Sequence, residues 1–133
     1  MVMRCRGIRG ATTVDANSRE AILEATTELV AELMRANDLR VEEIASAFFT
    51  TTRDLNAEFP AVAANSMGFS DVALLCGHEM DVPGSLPMCL RILLHVNTEK
   101  EPHQLAHVYL RGAKALRPDR AYGSHQATEA TSP

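Results

Sequence analysis

"EMDVPGSLPMCLRILLHV", residues 79–96, decides how this chain folds. Its second half is a long apolar run with an arginine in the middle. Side chains on a strand alternate between two faces. Met88, Leu90, Ile92, Leu94 and Val96 then form one wholly apolar face, and Cys89, Arg91, Leu93, His95 and Asn97 form a mixed one. The first face belongs in a core. The second is too apolar for an ordinary solvated surface, so Arg91 either lays its stem along an open surface or points at something anionic. The first half of the stretch, "EMDVPGSLP", is a turn-rich loop.

Upstream of that loop, "DVALLC" (71–76) reads as a short buried strand. "DLNAEFPAVAANSMGF" (54–69) brings a short helix after Pro60, a good first-turn residue. In "VEEIASAFFTTT" (41–52) the first turn suits a helix, while the aromatic and β-branched end suits a strand. Residues 18–36 carry Ile22, Leu29, Val30, Leu33 and Met34 at helical spacing. Asn17 with Glu20 three residues on gives a start signature for that helix, which ends near Asn37. The opening "MVMRCRGIRGATTV" reads as a strand with glycines at 7 and 10, closed by the turn "DANS". Downstream, the loop "NTEKEPHQLA" leads to a last strand, "HVYLRGAKALRP" (107–118).

The order is strand, long helix, strand, short helix, strand, strand, strand. This predicts an α/β (α+β) fold, a mixed sheet with its helices on one face, as a single domain over 1–119. The remainder, 120–133, has little to bury and reads as a flexible tail. A sheet covered by few helices leaves apolar surface open, which implies an oligomer.

Composition narrows the function. The 133 residues are 46% hydrophobic and 23% charged, with a formal charge of −4, as a soluble globular protein would be. No Lys/Arg cluster offers a phosphate-tracking patch, and 5% aromatic content with no Trp gives no stacking platform, so nucleic acid is not the expected partner. Neither a leader-like nor a membrane-spanning apolar run occurs, so no membrane partner is expected and the cytoplasm is the expected location. Cys5, Cys76 and Cys89 are odd in number and lack CxxC spacing, which reads as reduced thiols.

Most chemistries fail on spacing. Cys76, His78 and Glu79, with His95 later, supply metal-ligand types but match no closed zinc pattern, so no metal is expected. A nucleophilic Cys76 would need a histidine and an orienting group beside it, and the strand is not expected to present His78 to it. Ser18, Ser66 and Ser85 lack the G-x-S-x-G elbow. "GIRGATT" is not a nucleotide-binding loop, because Arg9 interrupts its glycines. What remains is Arg9, Arg91, Tyr109 and Arg117 at strand positions, with the acid Glu79. Together they read as a pocket for a small polycarboxylate, since the guanidinium fork bonds planar carboxylates in pairs.

These residues lie in motifs with a known likeness. "RGIRGATTV" (6–14), "AEFPAVAA" (57–64), "EMDVPGSLPMCLRILL" (79–94) and "HVYLRGAKALRPD" (107–119) resemble, in register, the AroH-type chorismate mutases, monofunctional trimeric enzymes. The resemblance implies a homotrimeric pseudo-α/β-barrel with three active sites in clefts between subunits. It implies the substrate chorismate, an isomerase reaction yielding prephenate on the route to phenylalanine and tyrosine, and no cofactor. The rearrangement is pericyclic, so catalysis means holding a chair-like conformer and stabilising charge as the ether bond breaks.

Carried over by motif, Arg91 would face the ether oxygen and help bind a carboxylate, and Arg9 and Tyr109 would hold the side-chain carboxylate. Glu79 would accept a hydrogen bond from the ring hydroxyl, with Cys76 close to the same group. Phe59, Ala61, Leu74 and Leu116 would wall the ring, and Arg117 would lie at the cleft mouth. Val62, Asn65 and Leu75 depart from the motif's basic and hydroxyl residues and thin the positive field around the cleft. The rival reading is a non-catalytic trimeric binding protein for a small carboxylate metabolite.

Overall fold

A computed structural model describes residues 2–116. The strand read from residues 88–96 forms as β4 (Cys89–Thr98) and lies in the middle of the sheet. It pairs antiparallel with β1 (Arg4–Thr13) on one side and with β2 (Ile44–Thr51) on the other. The parallel strands β3 (Ala73–His78) and β5 (Val108–Tyr109) complete the order β3-β2-β4-β1-β5. α1 (Arg19–Ala36) packs on β1 and β5, and α2 (Ala61–Ser66) packs on α1 and β3. The expected mixed sheet with its helices on one face is what the chain adopts.

Alternation along β4 explains the layering. Leu90, Ile92, Leu94 and Val96 are buried in the core with Leu29, Val30 and Leu33 of α1. Each such side chain contributes about 1.5–3 kcal/mol on burial. Gly10 permits close packing here, because a Cβ on it would stand 2.8 Å from Leu33 Cδ1 and 3.1 Å from both Leu29 Cδ1 and Ile92 Cγ2. In β2 the ladder slips between Ile44 and Ser46, so Ile44 and Ala47 both face the helices. That bulge leaves Ser46, Phe48 and Thr50 pointing the other way.

Two local readings are corrected. Asn17 does not cap α1. Ser18 is the N-cap, its Oγ accepting from the Ala21 N–H at 3.1 Å. Asn17 instead turns to the segment before α2, its Oδ1 accepting from the N–H groups of Asn56 and Ala57 at 3.0 Å each. The last strand is also far shorter than residues 107–118. β5 holds only Val108 and Tyr109, after which Arg111 turns left-handed (φ 50°) into a 3-10 helix, Arg111–Ala115. Thr13 draws the chain out of the extended state, its Oγ1 accepting from Gly112 N–H at 3.1 Å and its carbonyl from Arg111 Nη1 at 3.3 Å. The tail, 120–133, and Arg117 lie outside the described residues.

No described helix is long and apolar enough to cross a membrane.

Candidate active site

The sheet face turned away from the helices is organised in rows across strands. One row runs Leu75, Phe48, Leu93 and Arg9 over β3, β2, β4 and β1. The next runs Gly77, Thr50, Arg91, Ala11 and Tyr109 across all the strands. Arg91 therefore sits mid-row between two small residues, with the bulk of Phe48 and Leu93 one row away. This small-beside-large pattern makes a cavity of about 450 Å³, lined by Arg9, Thr50, Glu79, Arg91, Tyr109 and Leu116 among others.

Each polar group in it is fixed locally. Arg91 is a central-strand residue with a half-exposed side chain. Glu79 follows the end of β3, and its N–H donates to the Thr51 carbonyl at 2.8 Å. Its Oε2 accepts from Thr50 Oγ1 at 2.9 Å and lies 3.7 Å from Arg91 Nε. Arg9 is exposed on this face, and its backbone N–H donates to His107 Nδ1 at 2.9 Å, tying β1 to the residue before β5. Tyr109 is buried in a satellite cluster with Ala11 and Ala113, against which Leu86 and Leu116 pack. The short helix after Arg111 is what returns Leu116 to the cavity rim.

The remaining expected site residues stand elsewhere in the chain. Phe59 and Cys76 line a second cavity of about 370 Å³, with Leu55, Pro60, Gly77 and His78. Ala61 begins α2 there, and its backbone N–H reaches the Cys76 thiol. Leu74 is half-buried against the helix-side core. Asn17 and the Arg19–Glu58 ion pair (2.9 Å) hold the loop that carries Phe59. One chain thus brings Arg9, Glu79, Arg91, Tyr109 and Leu116 together, and places Phe59 and Cys76 on a second cavity, with Ala61 bonded to Cys76 and Leu74 against the helix-side core.

The thiols are not poised nucleophiles. Burial pushes the Cys76 thiol above its ordinary pKa, partly offset by the Ala61 N–H. Burial likewise raises Cys89, although the neighbouring Arg91 guanidinium pulls it back. A correction attaches to Cys76 and His78. Lying two apart on β3, they share a face and line the same cavity. His78 Nδ1 is spent on Thr51, however, at 3.2 Å from its Oγ1 and 3.3 Å from its carbonyl. Among the described residues no cluster of His, Cys, Asp and Glu is disposed to hold a metal ion.

Sequence reasoning missed Thr50, Phe48, Leu93 and His107. Leu93 carries a signal, since it shares the mixed face of its strand with Arg91, while Phe48 and Thr50 gain their meaning only from register with Leu93 and Arg91. His107 carries none, because its contact with Arg9 spans 98 residues of chain.

Comparison with known proteins identifies the family. The family model described as chorismate mutase type I matches residues 5–120. Chorismate mutase AroH of Thermus thermophilus is 48% identical over 115 residues, covering 86% of this chain and 94% of that protein. Chorismate mutase AroH of Bacillus subtilis (strain 168) is 40% identical over 118 residues, covering 88% and 93%. A solved chorismate mutase from Clostridium thermocellum superposes with a TM-score of 0.81 at 48% identity, over 83% of this chain and 98% of that one. With its matched length, its sheet and its cationic cleft accounted for together, the chain belongs to the type I chorismate mutases.

Proposed function

We propose that this enzyme works at clefts completed between protomers of a homotrimer. The chain is a chorismate mutase, an isomerase converting chorismate to prephenate in aromatic amino acid biosynthesis. The observation that carries the site assignment is the cavity uniting Arg91 and Glu79 with Arg9 and Tyr109 on a sheet face that neither α1 nor α2 covers. Phe59 and Cys76 lie on a separate cavity of the same chain. Contact between the two cavity types on adjacent protomers would enclose a substrate that neither encloses alone. The apolar row Leu75, Phe48 and Leu93 beside the first cavity supports burial against another copy. The free thiols and the metabolite substrate support a cytoplasmic location.

In the cleft the substrate's carboxylates meet Arg9 and Arg91, with the Tyr109 hydroxyl beside Arg9. The reaction breaks the ether C–O bond as the new C–C bond forms, without proton transfer. Negative charge grows on the ether oxygen, and the Arg91 guanidinium faces it. Held by a central strand, that cation needs no reorganisation at the moment of reaction. Glu79 accepts the ring hydroxyl and fixes the reactive chair, while Phe59, Ala61, Leu74 and Leu116 wall the ring beside Cys76.

The test follows loss of chorismate absorbance against the spontaneous rate. Arg91→Ala is expected to lower kcat by roughly 10²–10³, the scale of losing one preorganised donor to a developing oxyanion. Near-normal turnover in Arg91→Ala would remove this mechanism.

A further inference from the structure

An arginine and a carboxylate free to meet close to about 2.7–2.9 Å, often with two parallel bonds. Arg91 and Glu79 do not. Arg91 Nε stands 3.7 Å from Glu79 Oε2, beyond hydrogen-bond range, though both residues line one cavity. That oxygen is engaged by Thr50, whose Oγ1 donates to it at 2.9 Å. We propose that Thr50 is a positioning residue that holds Glu79 off Arg91, so that both charges stay available to the substrate. The proposal rests on the roles given above to Arg91 and Glu79.

The fold puts Thr50 where it can do this. It is the direct register partner of Arg91 across β2 and β4, on the same face. The Glu79 backbone is anchored one residue further on, at the Thr51 carbonyl, so its side chain reaches back over Thr50. A β-branched residue has few χ1 choices, which keeps the hydroxyl aimed. Glu79 Oε1 meets no donor among the described residues and is left for a substrate hydroxyl. Without the Thr50 bond, Glu79 would swing onto the guanidinium fork. The cation facing the ether oxygen would then be neutralised by a permanent partner, and the hydroxyl acceptor would be lost with it.

The test measures kcat and KM for chorismate in Thr50→Val, which keeps shape, and Thr50→Ser, which keeps the hydroxyl. Each is made in the native and Glu79→Gln backgrounds, with circular dichroism to establish folding. The loss of one bond to a charged group predicts kcat about tenfold lower in Thr50→Val, with KM changing less than about threefold. Thr50→Ser should stay within about threefold of the parent, and the Thr50→Val loss should shrink below about twofold beside Glu79→Gln. Parent-like kcat in Thr50→Val would overturn the proposal, as would equal losses in Thr50→Ser and Thr50→Val. An undiminished loss beside Glu79→Gln would do the same. Parent activity in Glu79→Gln alone is a separate failure, that of the role given to Glu79 itself.

Discussion

Arg91 lies between two small neutral row neighbours, Thr50 and Ala11, with Glu79 as its ion-pair partner at 3.7 Å. Two residues earlier on the same face, Cys89 is buried, and burial raises its thiol pKa. A thiol raised by folding holds its proton more tightly in the native state than in the unfolded one. Its contribution to stability is therefore complete below the ordinary thiol value, about 8.5, and is lost as pH rises through the folded value. Urea unfolding at neutral pH and near pH 10 is expected to show lower stability at the higher pH. The difference should shrink in Cys89→Ala, and an unchanged difference would place the alkaline loss elsewhere. At this scale the sequence was partly legible. Arg9, Arg91 and Tyr109 announced themselves as polar groups at strand positions, with the acid Glu79 opening the loop before β4. Thr50 did not, since a hydroxyl on a strand says nothing until register sets it opposite Arg91.

Among elements, the contact that matters most is α1 on β1. Gly10 lets the helix approach, and Arg9 beside it points to the cleft on the opposite face. Gly10→Ala would press a methyl into Leu33, Leu29 and Ile92, all buried, so none can swing aside. Overpacking of this kind costs about 1–3 kcal/mol. The melting temperature should fall by several degrees, and KM should rise as β1 shifts and carries Arg9 with it. An unchanged melting temperature would mean the core has slack at that point. Elements with strong periodicity, α1 and β4, were readable from sequence alone. The ends were not. Ser18 and Asn17 are both capping residues, and tertiary bonds to Asn56 and Ala57 decide which one caps. The end of β5 is set by Thr13, far away in sequence, so no local pattern revealed the left-handed turn at Arg111.

For the whole molecule, α1 and α2 cover one face of the sheet and, among the described residues, leave most of the other open. Leu75 is 62% exposed and Phe48 43% exposed in a single chain, in one row beside the cleft. If these residues meet another copy, Leu75→Asp places a charge in an apolar contact and should yield folded monomers with turnover lost alongside assembly. Analytical ultracentrifugation with circular dichroism reads both. A full-size, fully active Leu75→Asp would move the interface to another face. From sequence, too few helices for the sheet implied an oligomer, the expectation that Leu75→Asp tests. Sequence did not foretell that Leu75, where the motif has a hydroxyl, continues that apolar row.

The pairing of β5 with β1 has a bearing on how the chain reaches this state. Gly10 pairs with Val108, and the bond from Gly112 to Thr13 joins residues 99 apart. Nearly the whole described chain must be threaded into one closed loop before Tyr109 takes its place in the row with Arg91. Loop closure of that length draws on chain entropy that only the finished core repays. α1 has no such distance to cross, whereas the β1–β4 ladder, from Arg4–Thr98 to Thr13–Cys89, closes loops nearly as long. The row that carries Arg91 thus depends on long closures on both sides of β1, and on refolding from denaturant turnover is expected to return after the helical circular dichroism of α1 has recovered.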